Sequence, residues 1–184
     1  MELLLGCGSQ RDRRINIPGR PPYWTSLVTL DFNADHKPDV VHDLEVLPYP
    51  FADDTFDEIH AYEVLEHLGQ QGDWRSFFAQ FSELWRILKS DGHLAATCQS
   101  WRSMWAWGDP SHRRVLCSGS LVFLSQAEYA KQVGVTAMSD FRFCYGADFE
   151  PERGLVIETD DSFVFVLRAK KGLDNRGAQD VVSL

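Results

Sequence analysis

Two glycines flank a cysteine where the first apolar run stops, in Leu3-Leu4-Leu5-Gly6-Cys7-Gly8, and a carboxylate closes the second run, in Val28-Thr29-Leu30-Asp31. Glycines let a backbone approach a ligand where a Cβ would collide, and an acid ending the second strand of a Rossmann-type unit accepts hydrogen bonds from ribose hydroxyls. A further acid, Asp43, follows the third run with Leu44 beside it, a pair suited to an adenine amino group and ring face. The dinucleotide fingerprint needs a third small residue so that a helix can pack against the strand; counted from Gly6 and Gly8 that position is Arg11, which speaks against NAD or FAD. The chain also lacks the G-x-x-x-x-G-K-[S/T] pattern of a P-loop. The ordered series points to an adenosine ligand without a pyrophosphate.

Such a series needs a scaffold that brings successive strand ends together. Short apolar runs at Leu3 to Leu5, Leu27 to Leu30, Val40 to Val41 and Phe56 to Ile59 read as strands, and their spacing predicts alternating β and α around a parallel sheet. The clearest helix lies in the stretch from Asp73 to Gly92, where Phe77, Phe78, Phe81, Leu84 and Trp85 recur at helical spacing. Asp73 suits its cap, and Lys89 and Gly92 suit its end. His93 to Cys98 reads as a buried strand, Trp101 to Arg114 as a loop around the Gly108-Asp109-Pro110 turn, and Ser125 to Gly134 as a short helix. The stretch from Gly154 to Lys171 reads as a hairpin around Asp160 and Asp161. Residues 1–171 are expected to form one domain and residues 172–184 a flexible tail.

The totals narrow the partners. A formal net charge of −9 argues against a broad phosphate-binding face, so autonomous nucleic-acid binding is not expected. Cys7, Cys98, Cys117 and Cys144 are scattered without a C-x-x-C pair, which indicates neither a zinc site nor a disulfide framework; no metal is expected, and a reducing cytoplasm fits. No stretch is apolar for long enough to cross a membrane.

Taken in order, the segments LLLGCG, LDFN, DVVHDLEVLPYPFADDTFDEIHAYEVLEHL and ELWRILKSDGHL resemble the class I S-adenosylmethionine-dependent methyltransferases, nearest to the methyltransferase type 11 group. The resemblance runs from Leu3 to Cys98. It implies a Rossmann-like class I methyltransferase fold, an α/β domain with a mostly parallel central sheet and a C-terminal antiparallel hairpin strand, and S-adenosylmethionine as cofactor. It further implies that Gly6, Cys7 and Gly8 pass the methionine portion, that Asp31 binds the ribose with Phe32 by the adenine, and that Asp43 and Leu44 flank the adenine. Tyr62, Glu63 and His67 would line the sulfonium side. The chain departs from the group in having Leu4 where members carry an acid, and Gln10 where they often carry a third glycine.

A methyl on a sulfonium is already activated, so the remaining task is to align an acceptor and exclude water. An oxygen or nitrogen acceptor calls for a general base, and the catalytic pair expected here is His112 with Asp109 as its orienter, in a segment from Trp101 to Arg114 that would close over a small-molecule or saccharide-type acceptor. His67 is expected on a helix, with Glu63 as a structural partner. Trp101, Trp105 and Trp107 are expected to pack within a minimal fold. Two other classes stay open: a non-catalytic binding or assembly module on the same fold, and a nucleic-acid or protein methyltransferase that needs a partner. Oligomeric state is not legible, and a homo-oligomer is compatible with the sequence.

Overall fold

The computed structural model describes residues 1–172, so the expected tail lies, but for its first residue, outside the described residues. β1 (Glu2–Leu5) is buried along its whole length and is therefore a central strand. It pairs in parallel with β2 (Leu27–Asp31) on one side and β4 (Phe56–Tyr62) on the other. β3 (Val40–Val41) extends β2, β5 (Leu88–Gln99) extends β4, and the antiparallel hairpin of β6 (Phe149–Glu158) and β7 (Ser162–Ala169) completes a 7-stranded sheet of order β3-β2-β1-β4-β5-β7-β6. The expected sheet, parallel with a C-terminal antiparallel hairpin, is the one observed.

Side chains alternate across each strand, so every strand feeds two faces. Leu3, Leu5, Ile59, Leu94 and Phe165 belong to the main core together with Phe78, Phe81, Leu84 and Ile87 of α1 (Trp74–Ile87). Asp73 caps α1 by accepting from the Ser76 N–H at 3.1 Å. The helix stops at Ile87, short of Lys89 and Gly92, because the fully buried Leu88 takes an extended conformation and pairs with Phe56. Three shorter helices follow β5: α2 (Met104–Gly108), α3 (Ser118–Val122) and α4 (Gln126–Gln132).

The opposite face departs from the expected β and α alternation. Among the described residues no α-helix precedes Trp74, and the connections among the first four strands are loops with one short 3-10 turn, Ala34–His36. The segment between β1 and β2 covers this face itself, placing Ile15 and Ile17 against Leu4, Ala95, Val166 and Tyr62. Helical periodicity is missing between residues 9 and 26, and two apolar side chains anchored in a polar stretch do the covering instead.

That loop is locked by a buried polar chain. Glu58, His60 and Tyr62 project from alternate positions of β4. Arg13 Nη2 donates to Glu58 Oε2 at 2.6 Å, His60 Nε2 donates to the same oxygen at 2.9 Å, and the Tyr62 hydroxyl donates to His60 Nδ1 at 2.7 Å while accepting from the Arg14 N–H. The Trp24 ring stands edge-on to His60, with centroids 4.8 Å apart, and Arg13 lies 5.1 Å from the Trp24 ring centre. Burial pushes the His60 pKa below its usual 6.5 despite the hydrogen bond to Glu58. Burial works against the Glu58 carboxylate, but hydrogen bonds from His60 and Arg13 outweigh it and hold the group below 4.5.

The sign for stability follows from His60. Its folded pKa is depressed, so the unfolded chain takes up the proton first as pH falls; the contribution is complete above 6.5 and is lost on acidification through the folded pKa. The Tm of the wild type minus that of His60→Gln is therefore expected to shrink between about pH 7 and about pH 5. A constant difference across that window would show that His60 does not titrate between the two states.

Candidate functional site

β1 ends at a turn in which both glycines take positive φ, Gly6 at 54° and Gly8 at 52°. A Cβ on Gly6 would come to 2.5 Å from Val64 Cγ2, whereas one on Gly8 would meet nothing within 4 Å. The Gly8 N–H donates to Asp31 Oδ2 at 2.8 Å, and the Asn33 N–H donates to Asp31 Oδ1 at 2.8 Å. Burial alone would raise the Asp31 pKa; these two backbone donors and the nearby His36 ring hold it below the usual carboxylate value. The Asp31 carbonyl accepts from the His42 N–H at 3.0 Å, which fixes the following Asp43 and Leu44 to the same end of the sheet. Phe32 is 75% exposed beside them, while Leu44 is buried in the main core and Asp43 faces solvent. Cys7 is buried on the loop-covered face, and burial pushes its thiol pKa up.

Arg11, whose bulk speaks against a dinucleotide fingerprint, also has a structural part. Its Nη1 donates to the Gly8 carbonyl and its Nη2 to the His36 carbonyl at 2.8 Å, so it clasps the glycine turn to the turn after β2. Arg14 lines a small cavity of about 30 Å³ with Gly6, Cys7, Gln10 and Tyr62.

A second group gathers where β4 ends. Glu63 takes positive φ, 57°, and its Oε2 accepts from Gln99 Nε2 at 3.0 Å. The next residues form a 3-10 turn, Leu65–His67, in place of the expected helix. His67 Nδ1 donates to the Ser111 carbonyl at 3.1 Å, so its structural partner is a backbone oxygen and not Glu63. The rings of His67 and His112 lie 4.8 Å apart, edge to face. Glu66, which the sequence reading passed over, is 2% exposed and neither carboxylate oxygen has a partner among the described residues. Burial pushes its pKa up to about 8, and the Glu63 and Asp109 charges add to the rise. The pattern E-x-x-E-H was a usable signal, since a turn that directs the histidine one way sends the preceding acid another.

The segment carrying His112 is tied down by its backbone: the N–H groups of Arg113 and Arg114 donate to the Glu66 carbonyl at 2.9 and 3.0 Å. Asp109 lies near His112, but the closest approach of the two side chains is 3.9 Å, and Asp109 Oδ1 accepts from Ser111 instead. Its link to His112 is through the main chain, where its carbonyl accepts the His112 N–H at 3.1 Å. Part of this segment is α2 and not loop. Trp101, Trp105 and Trp107 are 45%, 61% and 67% exposed, so packing within the fold does not account for them. On the far side of Arg114 in sequence, a cavity of about 470 Å³ is lined by Trp74, Phe77, Phe78, Leu116, Phe123 and Phe141.

The expected site residues thus fall into two groups. Gly6, Cys7, Gly8, Asp31 and Phe32 form one, with Asp43 and Leu44 at its edge; Glu63, His67, Asp109 and His112 form the other. Val64, against which the glycine turn packs, joins them, and Tyr62 lies beside both as the anchor of the covering loop.

Residues 24–96 match the methyltransferase domain family. No curated protein matches the chain in sequence. Among solved structures, a SAM-dependent methyltransferase from Archaeoglobus fulgidus is 14% identical, with 91% of this chain and 85% of that one covered at a TM-score of 0.53. The PH0226 protein from Pyrococcus horikoshii is 16% identical over 92% and 81%, TM-score 0.52. The YcgJ protein from Bacillus subtilis is 17% identical over 93% and 92%, TM-score 0.50. The chain is thus similar to a methyltransferase domain from β2 into β5, and shares with those structures a fold built on a sheet of this order.

Proposed function

We propose that the protein transfers the methyl group of S-adenosylmethionine to an oxygen or nitrogen of a small-molecule or saccharide-type acceptor. The observation that carries this reading is the junction at Val64, where the turn bonded to Asp31 meets the cluster of Glu63, His67 and His112. The residues suit the cofactor. Open space where a Gly8 Cβ would stand admits a ligand backbone, a buried carboxylate with spare lone pairs suits ribose hydroxyls, and an exposed Phe32 offers an adenine a stacking face. In this reading Gly6, Cys7 and Gly8 follow the methionine portion, and Arg14, in the small cavity beside them, meets its carboxylate.

When bound, the cofactor supplies an activated methyl on a sulfonium. The chain's own part is to bring an acceptor into line with it and keep water out. His112 stands at the acceptor with its imidazole available for the proton, Asp109 sets the turn that presents it, and the segment from Trp101 to Arg114 acts as the cover. The aromatic cavity beyond Arg114 takes an apolar part of the acceptor. The exposed Trp105, Trp107 and Met104 favour a second reading, in which a partner macromolecule presents the acceptor. No helix among the described residues is long and apolar enough to cross a membrane, and the four cysteines are unpaired, which supports a reducing, cytoplasmic setting.

Calorimetry with S-adenosylmethionine and S-adenosylhomocysteine tests the core of this reading. Asp31→Ala is expected to weaken both by about tenfold or more, since hydrogen bonds to a charged group are worth roughly 1.5–3 kcal/mol each. Unchanged affinity in a folded Asp31→Ala protein would remove Asp31 from the site, and no binding by the wild type would remove the function.

A further inference from the structure

We propose that Glu66, His67 and His112 form a binding site for a single divalent transition-metal ion. Each of the three offers one ligand atom, and these atoms lie within 4.8 Å of one another. Ligand atoms about 2.0–2.2 Å from a common ion stand roughly 3–4 Å apart, so side-chain rotations of under about 1 Å close the set.

Three features separate this cluster from a chance gathering. Glu66 is 2% exposed with both carboxylate oxygens unpartnered among the described residues, so two buried acceptors face the cluster with nothing in hydrogen-bond reach, a deficit that an ion would fill. His67 already makes the outer contact common to metal-bound histidines: Nδ1–H donates to the Ser111 carbonyl, which fixes the tautomer and leaves the Nε2 lone pair free. The two rings come from separate segments that are stitched together by the backbone bonds from Arg113 and Arg114 to the Glu66 carbonyl, so the scaffold holds them in place before any ion arrives.

Two imidazoles and one carboxylate are a borderline donor set, suited to Zn²⁺, Fe²⁺, Co²⁺ or Mn²⁺ rather than to Ca²⁺. Three protein ligands leave coordination positions open, as in metal sites that bind a substrate and unlike closed structural ones. That an open position faces the methyl acceptor rests on the function proposed above; the ion site itself does not. On that reading the acceptor would bind through oxygen and the ion would lower the pKa of its hydroxyl, in place of the proton-accepting part given to His112, whose ligating nitrogen has no lone pair left for it.

The test is a titration of chelator-treated full-length protein with Zn²⁺, Co²⁺ and Mn²⁺ by calorimetry, with the visible absorption of Co²⁺ as a second readout and S-adenosylmethionine binding measured alongside. At least one of these ions is expected to bind at a single site and raise the Tm. Glu66→Gln, His67→Ala and His112→Ala are each expected to weaken binding by more than the roughly 10–100-fold that loss of an outer partner costs, and His93→Gln to leave it unchanged. If the alanine variants fail to fold, Glu66→Gln decides alone, because it keeps the shape and removes the carboxylate that would ligate the ion. Absence of binding by all three ions, or equal binding by wild type and Glu66→Gln, overturns the site. Ion binding without cofactor binding leaves the site standing and sinks the transferase reading, and cofactor binding without ion binding does the reverse.

Discussion

Glu58→Ala is expected to cost about 3–5 kcal/mol of stability, the range seen when one partner of a buried ion pair is removed. Arg13 and Glu58 side chains are 3% and 2% exposed. Without the carboxylate, a guanidinium whose Nε and Nη1 already lack partners loses the partner at Nη2, and His60 loses the acceptor that sets its tautomer. The loss should fall on the covering loop, whose Ile15 and Ile17 are held over the sheet by this chain of bonds. Replacing both partners by apolar residues of similar size, Arg13→Met with Glu58→Leu, should recover most of it, because no charge is then left stranded. Urea unfolding of the two variants checks the pair. A loss under about 1 kcal/mol in Glu58→Ala would place the network in the class of exposed pairs that contribute little.

The second large effect separates the two glycines. Gly8→Val is expected to abolish measurable cofactor binding while the protein still folds, since the added side chain enters open space and the local penalty is the roughly 1–2 kcal/mol of a left-handed backbone. Gly6→Val should instead fail as a folded protein: its φ of 54° is as unfavourable, and its Cβ would in addition overlap Val64 at 2.5 Å. Circular dichroism together with calorimetry distinguishes the two. Tight binding of S-adenosylmethionine by a folded Gly8→Val would show that the cofactor does not pass the turn.

Much of this was legible in the residues. Val40 and Val41 form the third strand as expected, and the second run gains only Asp31, because short β-branched and apolar runs bounded by polar residues mark strands locally. Asp73 caps α1 for a local reason, a carboxylate three residues before a free N–H. What escaped depends on contacts far apart in sequence. A polar loop standing in for a helix shows no periodicity, and the isoleucines that anchor it look incidental until Leu4 and Tyr62 lie beneath them. Glu66 follows Val64 and Leu65 and precedes His67 in sequence, where a carboxylate by itself reads as solvated. Its burial is imposed by the segment that follows β5, whose return to Glu66 no local pattern announces. The tryptophans near α2 differ from expectation for the opposite reason: bulk and apolarity favour packing, yet they stand largely exposed.

The loops that join the first strands leave β1 to be placed by contacts distant in sequence. Glu2 must find Glu58 across a stretch of chain that forms no α-helix, so the entropy of closing that loop is met with little local structure to offset it. The β6–β7 hairpin and α1 running directly into β5 are contacts between near neighbours in sequence, but joining that hairpin to β5 sets Gln99 against Ser162 and is again a distant pairing. The glycine turn meets Val64 only where β1 lies between β2 and β4, so that junction depends on two pairings distant in sequence and on no contact local to the turn.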